Sequence, residues 1–162
     1  LPHELVVFWS IRSGDVCYTN CDLLHPTHLF AIDRLRALTS LGYSIQILFH
    51  TQNVAQIDKM NPPGMGVKYM LDSMDFISGY KILEASSFVN MACQLYLSDI
   101  VIPSQHSSFV PMLLLYAVPN NFSPVLINEC TIFDTDNVTY RPRDVSKELR
   151  YANILELLDF TS

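Results

Sequence analysis

Two histidines three residues apart, His25 and His28, are the residues of this sequence best suited to chemistry on a phosphate. Pro26 lies between them, and proline suits the first turn of a helix, where a missing N–H costs nothing. The N-terminus of a helix attracts anions, because free N–H groups and the helix dipole make it positive. Two imidazoles placed there could hydrogen-bond a phosphate during nucleotidyl transfer. They could instead cap the helix, and an H-x-x-H spacing alone does not decide between these roles.

Two cysteines upstream add a second possible chemistry. Four potential ligands are spaced by four, four and three residues: Cys17, Cys21, His25 and His28. On one continuous helix they would share a face and could hold zinc. Pro26 and the turn-forming residues before it disfavour such a helix. We therefore favour two buried thiols beside two capping histidines, and we predict no metal site.

We expect the histidines to lie at the first crossover of a parallel sheet. Ligands of such sheets bind beyond the carboxyl ends of the strands. Residues 5–10 and 44–49 are apolar runs typical of strands covered on both faces, and the apolar stripe of 26–42 indicates a helix. Further predicted elements are helices at 67–74, 84–100, 107–118 and 146–158, and strands at 75–79 and 125–128. This alternation predicts an α/β fold, with a Rossmann-like parallel sheet flanked by helices, in a single domain over 1–162.

The composition excludes several classes of protein. Hydrophobic residues make up 49% and charged residues 16%, which indicates a packed core rather than disorder. The net charge of −6, with 10 Lys and Arg in no dense run, makes strong nucleic-acid binding by this segment improbable on electrostatic grounds. We interpret the four cysteines as reduced thiols of a cytoplasmic protein. The longest apolar run contains Pro111 and is too short to span a bilayer, so we predict no membrane association.

The stretch Leu24-His25-Pro26-Thr27-His28 resembles the Leu-His-Ile-Gly-His signature of class I aminoacyl-tRNA synthetases. The spacing from there to the second strand is similar as well, and the likeness is greatest to the tyrosyl-tRNA synthetases of eukaryotes and archaea. Val7-Phe8-Trp9 resembles their first strand, Val-Tyr-Trp-Gly, and Ile47-Leu48-Phe49 resembles their Ile-Leu-Phe-Ala-Asp. Residues 97–98 and 104–106 resemble their Leu-Ser and Thr-Gln-His segment.

The resemblance implies ATP with magnesium as the cofactor and tyrosyl-adenylate as the product, with His25 and His28 at the positions that stabilise charge on the phosphate. Several contact positions differ from the family. Thr27 replaces the glycine beside the adenine, and its β-branched side chain should crowd the base. Phe8 and Thr51 stand where the family has a first-strand tyrosine and the aspartate after the second strand. Val110, Leu114 and Ala117 replace a tyrosine, a glutamine and an aspartate of the tyrosine pocket.

An ammonium group in such a pocket would have no partner, and burying it unpaired is prohibitive. The sequence also contains no Lys-Met-Ser-Lys-Ser loop, which holds the pyrophosphate in the family. We therefore expect a non-catalytic, structural copy that pairs with another synthetase catalytic domain as a homodimer or pseudo-dimer and exposes an apolar patch. Because the chain opens at Leu1, we expect a fragment of a larger synthetase whose other parts bind tRNA-Tyr.

Two other functions stay open. Cytidylyltransferases also begin a helix with H-x-x-H, and residues 22–28 resemble their pattern, which would make the chain an active nucleotidyltransferase. Their motif follows the first strand more closely than here, and their second basic motif is not found. The chain could also be a plain protein-interaction domain without synthetase ancestry.

Overall fold

A six-stranded sheet organises the computed structural model, which describes residues 4–13, 21–102, 125–128 and 131–134. The strands are β1 (Glu4–Ser10), β2 (Ser44–Thr51), β3 (Gly79–Glu84), β4 (Ile100–Ile102), β5 (Val125–Asn128) and β6 (Thr131–Asp134). Their order across the sheet is β3-β2-β1-β4-β5-β6. Strands β1 to β5 pair in parallel, and β6 runs antiparallel to β5. The fold is therefore α/β with a Rossmann-like parallel sheet, as the sequence predicts.

Within residues 4–13 and 21–102, four helices lie between the first four strands. They are α1 (Pro26–Ser40), α2 (Val54–Lys59), α3 (Val67–Ser73) and α4 (Phe88–Tyr96). Helix α1 begins at Pro26, as predicted, and ends before Gly42, whose φ of 100° suits a residue without a side chain. The N–H of Gly42 bonds to the carbonyl of Thr39, and that of Tyr43 bonds to the carbonyl of Leu38, so the last turn of α1 is closed by a Schellman motif.

Strands β1 and β2 are covered by apolar side chains on both faces of the sheet. Leu5, Val7 and Trp9 of β1 belong to the same buried core as Ile45, Ile47 and Phe49 of β2, and α1 adds Ala31, Leu35 and Leu38 to it. Successive side chains of a strand point to opposite faces, so Phe8 and Leu48 lie on the other face of the sheet, where they are also buried. Burial on both faces explains why β1 and β2 read as continuous apolar runs.

The predictions for residues 75–102 are wrong in two places. The third strand is Gly79–Glu84 and not 75–79, because residues before it form a turn in which Ser78 bonds through its N–H and hydroxyl to the carbonyl of Ile45. The helix predicted over 84–100 spans only Phe88–Tyr96, and Ile100–Ile102 forms β4 instead. Asp99 fixes the start of β4 beside β1, since its carboxylate and its N–H bond to the N–H and carbonyl of Val6 at 2.9 and 2.8 Å.

The remaining element predictions have mixed outcomes. The helix predicted at 67–74 is α3, and the strand predicted at 125–128 is β5. Helix α2 and strand β6 were not foreseen by the sequence patterns. The predicted helices at 107–118 and 146–158 lie outside the described residues. Within the described part of the chain, no helix has the length and apolar composition needed to cross a bilayer.

Candidate functional site at the carboxyl ends of β1 and β2

The carboxyl ends of β1 and β2 are the place where this fold is expected to bind a ligand. Strand β1 lies between β2 and β4, and the chain turns from one side of β1 to the other when it passes from β3 to β4. Ligands of open parallel sheets bind in the crevice at such a switch point. The N-terminus of α1 follows β1, so the sequence-predicted histidines belong to this edge.

His25 is the N-terminal cap of α1. Its Nδ1 accepts a hydrogen bond from the N–H of Thr27 at 3.2 Å and lies 3.1 Å from the hydroxyl of Thr27. Because Nδ1 accepts, the neutral ring carries its proton on Nε2. The N–H of His25 in turn bonds to the carbonyl of Asp22 at 3.0 Å. The capping role considered from the sequence is therefore the one that His25 takes in this structure.

His28 faces the sheet rather than the solvent. Its side chain is 6% exposed, and its ring centroid lies 6.1 Å from that of Trp9 on β1, with the ring planes tilted by 37°. Both rings belong to the layer between α1 and the sheet. The position of His28 is consequently that of a packing residue, and a phosphate could reach it only after displacement of neighbouring groups.

Phe8 lies on the opposite face of the sheet and stacks on His50. The two ring centroids are 4.2 Å apart and the planes differ by 20°. His50 is 1% exposed and Phe8 is fully buried. Among the described residues, neither ring nitrogen of His50 finds a hydrogen-bond partner. Burial lowers the pKa of His50 from 6.5 to about 4, so the imidazole is neutral at pH 7.

Thr51 is held by a short chain of hydrogen bonds at the end of β2. Its hydroxyl lies 2.9 Å from that of Ser13, which also accepts the N–H of Asn53 at 2.8 Å. Ser13 and Thr51 are both buried. The adjacent β3 contributes Glu84, whose carboxylate accepts the N–H of Val54 at 2.8 Å. These bonds hold the segment after β1 and the ends of β2 and β3 against the start of α2.

The structure groups the predicted site residues in separate pairs. His25 and Thr27 form one, while His28 packs on Trp9 across the layer beneath α1. Phe8 is separated from all of them by the sheet. The other predicted pocket positions, Val110, Leu114 and Ala117, lie outside the described residues. No sequence motif marks His50 or Ser13, and the one signal for His50 is a polar residue directly after the apolar run 47–49.

The cysteine predictions need a correction. Cys21 is fully buried and disulfide-bonded, so the expectation of four reduced thiols is wrong at this position. A sulfur in a disulfide cannot serve as a thiolate ligand, which argues against zinc at Cys21. In the described ranges no group of three His, Cys, Asp or Glu side chains could hold a metal ion. Disulfides are typical of oxidising compartments, so the cysteines no longer indicate the cytosol.

A small apolar pocket lies beside the N-terminal half of α1. It measures about 90 Å³ and is lined mainly by Leu23, Ile32, Met65 and Met70, with Leu24 and Tyr69 at its rim. Leu24 and Tyr69 are each more than half exposed. We call this feature the α1–α3 pocket.

Comparison of the chain with protein-family models, with curated proteins and with solved structures found no match. The likeness to tyrosyl-tRNA synthetases therefore stays a prediction from the sequence motifs.

Proposed function

We propose that this chain is a tyrosyl-tRNA synthetase-like domain that does not form tyrosyl-adenylate and that serves as a structural half of a dimer or pseudo-dimer. One observation carries the proposal. At all five described positions predicted to contact ATP or tyrosine, the side chain is already engaged inside the fold: Phe8, His25, Thr27, His28 and Thr51. A working site would instead present such groups, preorganised, to the substrate.

On the ATP side, both histidines already make contacts within the protein. Nδ1 of His25 is used in capping α1, and the buried ring of His28 packs against Trp9. The hydroxyl of Thr27 lies against the ring of His25, and its branched side chain occupies the position that a glycine leaves open for the base. Loss of this cap would cost about 1 kcal/mol, which opposes recruitment of His25 to a phosphate.

On the tyrosine side, the described positions predicted to contact the substrate carry no charge, and the carboxylate of the neighbouring Glu84 already accepts the N–H of Val54. Phe8 is apolar, the hydroxyl of Thr51 is bonded to Ser13, and His50 is neutral at pH 7. Burial of an unpaired ammonium group is strongly unfavourable, so tyrosine should not bind in the orientation that adenylation needs. Thr51 stands where the resemblance calls for an aspartate.

The α1–α3 pocket supports a role in pairing. Its lining is apolar, and the exposed side chains at its rim would bury surface against a partner. The same feature favours the second candidate, an interaction domain without synthetase ancestry. The net charge of −6 is consistent with tRNA contacts being made by other parts of the parent protein.

Isothermal titration tests the proposal directly. Mg-ATP, tyrosine and CTP are each titrated into the chain, and no binding is expected for any of them. Binding of CTP would favour the cytidylyltransferase-like alternative, and binding of both ATP and tyrosine would contradict the proposal.

Pairing is tested by co-sedimentation with an active eukaryotic tyrosyl-tRNA synthetase. Tyr69→Ser at the pocket rim should weaken the complex, whereas Lys68→Ser, the matched change at the adjacent exposed position, should leave it intact. Absence of any complex at micromolar concentration would exclude this partner.

A further inference from the structure

Helix α4 presents an uncharged and mainly apolar face to the solvent. Val89 and Leu97 are 69% and 66% exposed, more than any other exposed large hydrophobic side chain of the described residues. Cys93 lies between them, four residues from each, and is exposed as well. The backbone of Leu97, the C-terminal cap, is still helical. Side chains four residues apart on a helix share one face, so these three residues form a continuous stripe, which we call the α4 stripe.

Cys93 is a free thiol in a chain that has oxidised another of its cysteines. Cys21 is disulfide-bonded, whereas Cys93 is not. Disulfides are typical of proteins in oxidising compartments, and a thiol left over in such a protein often pairs with another molecule. The exposed thiol of Cys93 is therefore open to a bond with a second chain.

The α4 stripe is self-complementary about Cys93. When two copies of α4 meet in antiparallel orientation around a two-fold axis at Cys93, Val89 of each copy faces Leu97 of the other, because both lie four residues from the axis. A Cα atom lies about 2.3 Å from its helix axis and a disulfide separates two Cα atoms by about 5.5 Å, so the two helix axes would be about 10 Å apart. Packed helices lie about 8–10 Å apart, so the bond and the side-chain contacts are compatible.

The α4 stripe is too small to hold two chains together without a covalent bond. Stable interfaces bury about 800 Å² per partner and use about 20–30 residues a side, far more than one row of side chains provides. The net charge of −6 opposes the approach of two copies at long range. Residues Phe88–Tyr96 carry no charge, so no like charges meet within the contact itself. The area and the charge together indicate a pairing that depends on the disulfide.

We infer that Cys93 joins two copies of this chain by a disulfide across the α4 stripe. The oxidant is a low-molecular-weight disulfide such as oxidised glutathione. The thiolate of Cys93 attacks one of its sulfurs, which forms a mixed disulfide and releases one small thiolate. The Cys93 thiolate of the second copy then attacks the protein sulfur of the mixed disulfide, the bond between the two Cys93 sulfurs forms, and the second small thiolate leaves. Two protein thiols are oxidised, one small disulfide is reduced, and the two Cys93 protons pass to the released thiolates.

Equilibration of the purified chain with reduced and oxidised glutathione tests the bond. The products at micromolar protein concentration are analysed without reductant by sedimentation velocity and mass spectrometry. We expect a dimer whose intermolecular cross-link joins Cys93 to Cys93, and reduction should return it to the monomer. A product in which Cys93 carries only glutathione, or is bonded to another cysteine of its own chain, would overturn the inference.

Two double variants test whether the α4 stripe directs the bond. Val89→Lys with Leu97→Lys keeps the thiol but places lysines opposite each other, so the ratio of dimer to glutathione adduct should fall by about tenfold or more. Leu24→Lys with Tyr69→Lys is the matched control, because these side chains are also more than half exposed but lie at the α1–α3 pocket. The control should leave the ratio unchanged. Equal ratios in wild type and both variants would indicate random collision of exposed thiols and would overturn the inference.

The inference goes beyond the proposed function, because it concerns a surface other than the α1–α3 pocket. Loss of the dimer in Cys93→Ser would support the disulfide and would leave the proposed pairing with a synthetase unaffected. A dimer that persists under reduction and in Cys93→Ser, but is lost in the control variant, would overturn the inference and support pairing through the α1–α3 pocket.

Discussion

Asn61 is the residue whose replacement should most damage the support of the site. It is 9% exposed and lies between the end of α2 and the segment that leads into α1. Its Oδ1 accepts the N–H of Leu23 at 3.0 Å, and its Nδ2 donates to the carbonyls of Cys21 and Ile57 at 2.7 and 2.8 Å. One buried amide therefore joins the segment that precedes His25 to helix α2.

Asn61→Asp keeps the size and the acceptor but removes both donated bonds. Each bond contributes about 1 kcal/mol net, and the new carboxylate would face two carbonyl oxygens in a buried place. We expect a loss of about 3 kcal/mol in the free energy of unfolding at pH 7. For a chain of this length that lowers the melting temperature by about 6–12 °C.

Urea unfolding followed by tryptophan fluorescence measures the loss, because Trp9 is the sole tryptophan and is fully buried. Asn53→Asp is the matched control. Asn53 is exposed and caps α2 by accepting the N–H of Gln56, a role that aspartate fills equally well. The control should change stability by less than about 0.5 kcal/mol. Equal effects of the two substitutions would refute the reasoning about Asn61.

Three further predictions concern other parts of the fold. Burial lowers the pKa of His50 from 6.5, its value in an unfolded chain, to about 4 in the folded chain. The contribution of the neutral ring to the free energy of unfolding should therefore be fully present above pH 6.5 and should fall by about 3 kcal/mol as the pH drops to 4. His50→Leu should lack this pH-dependent component in urea unfolding, and identical profiles of the two proteins would contradict the assignment. A side chain at position 66 would overlap the carboxylate of Asp58, which accepts the N–H of Val67 at the start of α3. Gly66→Ala should therefore cost about 1 kcal/mol by thermal unfolding, and much less in an Asp58→Ala background, whereas additive costs would exclude this contact as the cause. The hydrogen bond from Tyr80 to Asp72 raises the pKa of the phenol, so Asp72→Asn should lower the pKa of Tyr80 in an NMR titration, and an unchanged value would contradict the bond.

The central part of the fold could be predicted because its signals are local. Strands β1 and β2 are covered on both faces, so their residues form continuous apolar runs. Pro26 marks the start of α1, because the missing N–H of proline costs nothing in the first turn of a helix. Gly42 marks its end, because glycine readily adopts a positive φ. Strand β3 escaped prediction because it lies at the sheet edge, where the exposed residues Lys81 and Glu84 interrupt the apolar pattern.

Other features depend on contacts between distant parts of the chain. Strand β4 has three residues, and the bonds between Val6 and Asp99 that fix its place join residues 93 positions apart. The stack of Phe8 on His50 links β1 to β2, and the bond between Ser13 and Thr51 links the segment after β1 to the end of β2; no local pattern reveals either contact. Spacing alone also cannot show whether a cysteine such as Cys21 forms a disulfide.

Tyrosine-dependent ATP–pyrophosphate exchange shows whether the chain forms tyrosyl-adenylate. The chain is assayed alone, beside an active tyrosyl-tRNA synthetase as the positive control. We expect exchange at background level, because the histidines of the signature are used in capping and packing and the predicted tyrosine contacts Phe8 and Thr51 carry no charge. Tyrosine-dependent exchange above background that is lost in His25→Ala would show a working site, and the chain would then be an active synthetase domain.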